Sequence, residues 1–94
     1  MHSRIVHTQP QPGQADEAAR RWKEQLVPRL RELPGFRQGY ISLDRTANRI
    51  AGVTIWDAEP DAAATELAQS FGQKMADIMT GPPEITTYEV LEEA

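Results

Sequence analysis

An α+β fold of the ferredoxin-like kind, a four-stranded antiparallel sheet with helices on one face, is what this sequence predicts, and three observations carry that expectation. Two stretches repeat apolar residues at helical spacing, Ala15 to Leu33 and Ala64 to Met79. Between them, two alternating segments flank "RTAN", a hairpin signal. Short strand-like segments, "RIVHT" and "EITTYEVLE", stand outside the helices and complete a β-α-β-β-α-β order.

The first strand is expected at Arg4 to Thr8, where β-branched residues alternate weakly, and "QPQPG" breaks it. The helix that follows carries the stripe Ala15, Ala18, Ala19, Trp22, Leu26, Leu30 and Leu33. Asp16 and Glu17 occupy its first turn, four residues before Arg20 and Arg21, which suits both the helix dipole and ion pairing. Pro28 gives up its hydrogen bond to the Glu24 carbonyl and is expected to kink the helix, and Pro34-Gly35 ends it.

In the hairpin, Asn48 suits the left-handed position near the end of the turn. With Thr46, Ala47 and Asn48 as a three-residue loop, Arg45 would pair with Arg49. Ile41, Leu43, Ala51, Val53 and Ile55 would then share one face, and Gln38, Tyr40, Ser42, Gly52, Thr54 and Trp56 the other. A slip of one residue would mix these sets. Pro60 suits the first turn of a second helix with the stripe Ala64, Leu67, Ala68, Phe71, Met75, Ile78 and Met79. Gly72 is expected to divide that segment, and "TGPP" stops it before the last strand.

Ninety-four residues, 1–94, fit a single domain able to bury roughly 65% of its unfolded surface. A net charge of −4 argues against nucleic-acid backbones and anionic membrane surfaces as partners. Without cysteine, thiolate catalysis, disulfides and Cys-based metal sites are excluded. Two histidines and scattered carboxylates at no ligand spacing suggest no metal site. "MHSRIVHTQPQPG" lacks the apolar core of a signal peptide, so a cytoplasmic location is expected. Two helices cover only one face of the sheet. A face of Ile41, Leu43, Val53 and Ile55 would gain roughly 1.5 kcal/mol or more per fully buried side chain, which points to a second copy, sheet against sheet.

"VPRLRELPGFRQGYISLD", "TIWDAEPDA" and "GPPEITTYEVLEE" resemble the antibiotic biosynthesis monooxygenase family over nearly the whole chain. The resemblance implies a homodimeric α/β barrel with a pocket in each subunit between sheet and helices. It also implies chemistry of the kind some members perform, cofactor-independent oxygenation of polyketide anthrones and quinols. Trp56 matches a pocket tryptophan of those enzymes, but their asparagine four residues earlier and tyrosine six later are here Gly52 and Ala62. The haem-degrading branch needs an asparagine in the first strand and a tryptophan and histidine in the second helical region, and this chain has none of them.

The candidate catalytic residues are His7, Tyr40, Thr54 and Trp56, with Trp22, Ser42, Gly52, Phe71 and Met75 as candidate substrate contacts. His7 could act as a base near neutral pH, or be only a half-exposed strand residue. His2 falls in a terminal tail. Aromatic rings with a few hydroxyls suit a planar phenolic ligand, and the same rings also make ordinary core. Two functions remain in view: a cofactor-free monooxygenase of a small aromatic or quinol-like molecule, and a non-catalytic dimeric sensing or interaction module.

Overall fold

Strand β1 (His2–Thr8) runs between β3 (Arg49–Trp56) and β4 (Glu84–Glu89), and β2 (Phe36–Asp44) pairs with the far side of β3. All three pairings are antiparallel, so the sheet order is β2-β3-β1-β4, the ferredoxin-like arrangement. The computed structural model describes residues 1–94. β1 begins at His2, two residues earlier than expected, so His2 is a strand residue opposite Trp56 rather than part of a tail.

The first helical segment is α1 (Ala15–Arg21), a π turn (Trp22–Leu26) and α2 (Val27–Leu30) in unbroken succession. Pro28 explains the π turn. Its ring excludes the Glu24 carbonyl and it has no N–H to give, so the helix widens just ahead of it. The Val27 N–H reaches back five residues to the Trp22 carbonyl. The expected kink is realised as this one wide turn.

Helix α3 (Ala62–Lys74) begins two residues after Pro60, because Asp61 caps it: its carboxylate accepts the Ala64 N–H at 3.0 Å. The helix passes through Gly72 without a break and gives way to a short 3₁₀ turn (Ala76–Ile78). Gly72 therefore does not divide it.

The hairpin differs from expectation in a way that matters for function. Its loop has four residues, not three. The Asp44 carboxylate accepts N–H bonds from Thr46 (3.0 Å) and Ala47 (3.1 Å), which winds the extra residue into the turn. Asn48 closes it at φ 52° and donates its side-chain amide to the Pro10 carbonyl at 2.9 Å. Pairing consequently slips by one: Asp44 lies opposite Arg49, Leu43 opposite Ile50, Ile41 opposite Gly52 and Tyr40 opposite Val53. Opposed residues share a face, so Ile41 and Leu43 join Ile50, Gly52, Thr54 and Trp56 beneath the helices. Tyr40 and Ser42 join Ala51, Val53 and Ile55 on the other side. The wholly aliphatic face expected from the sequence does not exist.

The core lies between the sheet and the helices in two clusters. Ala18, Ile50, Met75 and Ile78 form one, with Ile41 and Leu43 packed against it. Leu26, Leu30, Trp56 and Ala64 form the other, where Phe36 meets Trp56 edge to face at 5.4 Å. No helix is long and apolar enough to cross a membrane.

Candidate functional site

A cavity of about 730 Å³ lies between the helix-side face of the sheet and the helices. That volume is in the range used for small-molecule sites. Its origin is in the sequence of β3. Gly52 stands mid-strand between Val6 and Ile41, and a Cβ placed on it would meet nothing closer than the Val6 carbonyl oxygen at 4.0 Å. Where a strand would normally send a side chain into the core, there is space.

The walls come from both helical segments. Trp22 projects from the π turn and lies over Gly39; a Cβ there would stand 3.4 Å from Trp22 Cζ2 and 3.2 Å from the Val53 carbonyl oxygen. Gly39 is thus the strand position that admits the indole. Leu26, Phe71 and Met75 line the cavity from the helices, and Trp56, nearly fully buried, lines it from the end of β3.

Polar groups are few. The Trp56 indole N–H donates to Thr54 Oγ1 at 2.9 Å, which leaves the threonine hydroxyl hydrogen free for another partner. Beside Thr54, directly across the ladder, stands Arg4. Arg4 lines the cavity while donating from Nε to Thr87 Oγ1 (3.1 Å) and from Nη2 to Thr65 Oγ1 (3.2 Å). Burial lowers its pKa from the ordinary guanidinium value, opposed by the nearby negative charge of Glu59. Arg4 enters none of the ion pairs of the chain. No carboxylate, imidazole or phenol lines the cavity. No cluster of His, Asp and Glu residues is placed to hold a metal ion.

Thr54, Trp56, Trp22, Gly52, Phe71 and Met75 meet in this one cavity. His7, Tyr40 and Ser42 do not. The one-residue slip sets Tyr40 opposite Val53 and Ser42 opposite Ala51, and β1 pairing sets His7 opposite Ala51 as well, all on the face turned away from the helices. Tyr40 is 52% exposed there. Ala62, aligned with a tyrosine of the resembled enzymes, sits exposed at the first turn of α3 and does not line the cavity.

Sequence reasoning missed two residues. Arg4 has the parity of β1 that faces the helices, shared with Val6 and Thr8; the signal was there, but an arginine opening a strand resembles a solvated end. His2 shares that parity, lies opposite Trp56, and has its Nδ1 shut off from solvent with no hydrogen-bond partner.

No protein-family model matches the sequence, and no curated protein matches it significantly. Solved structures do match by shape. A monooxygenase of Streptomyces coelicolor, solved in complex with the ligand nanaomycin D, superposes with TM-score 0.81 at 13% identity, over 99% of this chain and 89% of that one. A Nitrosomonas europaea protein, assigned provisionally as an antibiotic biosynthesis monooxygenase, gives TM-score 0.77 at 20% identity, covering 98% of this chain and all of that one. The Mycobacterium tuberculosis protein Rv0793 gives 0.73 at 16% identity, over 99% of this chain and 97% of that one. The fold is that of the antibiotic biosynthesis monooxygenases.

Proposed function

We propose that the cavity binds a small planar aromatic molecule of quinol or anthrone type, and that the protein oxygenates it with neither metal nor organic cofactor. The observation that carries this reading is the cavity itself: a space of about 730 Å³ with mostly aromatic and aliphatic walls, whose few polar lining groups include Arg4 and Thr54 side by side, Thr54 bonded to the Trp56 indole. Such a ligand reacts through its own anion, which transfers an electron to dioxygen. Overall, an anthrone's ring CH₂ becomes a carbonyl, or a quinol's ring C–H becomes the C–OH of a hydroxyquinone; in each case one oxygen atom enters the product and the other leaves as water. The protein contributes a dry, shaped site and hydrogen-bond donors. Trp22 and Phe71 serve as walls for the ring plane, Thr54 as the polar contact and Gly52 as the floor that gives it room.

A second reading, a binding module without catalysis, is favoured by one feature: no side chain lining the cavity can accept a proton near neutral pH. The substrate would have to arrive ionised or give its proton to water. Oxygen uptake decides between the two. The protein, incubated under air with a panel of anthrones and quinols, is expected to consume oxygen above the buffer rate and to lose that activity in Trp22→Ala. Binding without uptake leaves the module; neither binding nor uptake removes both readings.

The same proposal includes a homodimer through the open sheet face. Ile5, Ala51, Val53 and Ile55 lie there half-buried, flanked by Tyr40 and Tyr88, each about half exposed. Nothing else in the chain covers these side chains, and pairing with a second copy removes them from water. Light scattering behind a sizing column is expected to give twice the chain mass; a mass near 10.5 kDa at micromolar concentration contradicts it.

A further inference from the structure

We infer that Arg4 is the anion-recognition residue of the cavity, and that the ligand is a planar aromatic molecule carrying an ionised oxygen, a carboxylate or a phenolate, on or beside its ring. This rests on the cavity being a ligand site and narrows what that ligand is.

Arg4 is placed and held for the task. Its position on β1, opposite Thr54 on one side and Thr87 on the other, puts it on the helix-side face. Two threonine hydroxyls accept its hydrogen bonds, at 3.1 and 3.2 Å from strand and helix respectively. These contacts fix the plane of the guanidinium without neutralising it. A guanidinium has five N–H groups, and two are engaged, so three remain for another acceptor.

Its electrostatic setting is unusual for this chain. Arg29 and Arg31, which form no ion pair, are exposed to water, and Arg20, Arg21, Arg37, Arg45 and Arg49 each pair with a carboxylate on the outside of the protein. Arg4, the arginine that lines the cavity, does not. Glu59 acts on it through space, beyond ion-pair distance. A partly desolvated cation without a partner is unfavourable, and an arriving anion relieves that cost with charge-assisted, bidentate geometry. The walls around it, Trp22, Trp56 and Phe71, suit a ring attached to that anion.

The test compares two fluorescent probes of nearly the same shape, anthracene-9-carboxylate and anthracene-9-carboxamide, titrated into the protein at pH 7. The wild-type chain is expected to bind the acid at least about tenfold more tightly than the amide, the range of a hydrogen bond to a charged group. In Arg4→Met, shown folded by its circular dichroism melt, that ratio should fall to near one; Arg4→Lys should keep part of it. Equal affinity of the wild-type chain for the two probes overturns the inference while leaving an aromatic site in place. A preference that survives in Arg4→Met overturns it too, as does a loss of stability in that variant with the ratio unchanged, which would make Arg4 a structural residue. Failure to bind either probe removes this inference and the ligand reading beneath it together.

Discussion

Gly52→Val should make the protein more stable and less able to bind. Gly52 has no positive φ, so a β-branched residue meets no backbone penalty there. The nearest heavy atom to its added Cβ is the Val6 carbonyl oxygen at 4.0 Å, ordinary van der Waals separation. Replacing a strand glycine recovers roughly 0.5–1 kcal/mol of backbone entropy. Two methyl groups beyond Cβ, each half withdrawn from water, add about 0.8 kcal/mol together. The sum, about 1–2 kcal/mol, corresponds to a rise in Tm of about 4–16 °C for a chain of this size. The same methyls enter the floor of the cavity and should weaken an aromatic probe about tenfold or more. Thermal melts followed by circular dichroism, with fluorescence titration of anthracene-9-carboxylate, read both numbers. A fall in Tm, or unchanged binding, refutes the claim that the missing side chain at Gly52 makes the cavity.

Trp56→Ala is expected to cost about 3–5 kcal/mol in urea unfolding, because the ring is nearly fully buried and holds Phe36 edge to face; a variant as stable as wild type would remove it from the core. At the hairpin, Asn48→Ala should lose about 1–3 kcal/mol through its positive φ and its lost bond to Pro10, while Asn48→Gly, which keeps the backbone geometry, should lose distinctly less. Equal losses would mean the backbone conformation contributes little. Hydrogen bonds from Arg20 first, and Arg21 next, hold the Glu17 carboxyl at about 2, below its ordinary 4.5. A depressed folded-state value means its contribution is present above pH 4.5 and is lost as pH falls toward 2. Melts of wild type and Glu17→Gln across that window should therefore converge at the acid end, and parallel curves would contradict the pairing.

The helices were legible because their period is set within each segment. Trp22, Phe71 and Met75 fall on stripes that the 3.6-residue repeat alone defines, and all three reach the cavity. Strand order followed from the same local signals. Strand faces did not, because parity depends on a loop length that no periodicity encodes. The Asp44 carboxylate, by gathering two backbone N–H groups, makes the loop one residue longer, and the side chains of β2 from Gln38 to Asp44 change sides relative to β3. Tyr40 and Ser42 were displaced from the site by that single residue. His7 failed for a related reason: alternation along β1 separates two faces but does not say which one the helices cover. The cavity left a faint mark, a glycine in the middle of "IAGVTIW", and Arg4 left none beyond its parity.

Amide and indole chemical-shift mapping of the isotope-labelled protein, titrated with anthracene-9-carboxylate, bears most directly on where ligand binds. Shifts should concentrate at Arg4, Gly52, Thr54 and the Trp22 and Trp56 indoles, with His7, Tyr40 and Ser42 left nearly unmoved. Shifts gathered instead around Tyr40, Val53 and Ser42 would place the binding surface on the opposite side of the sheet and contradict the helix-side cavity as the working end of this protein.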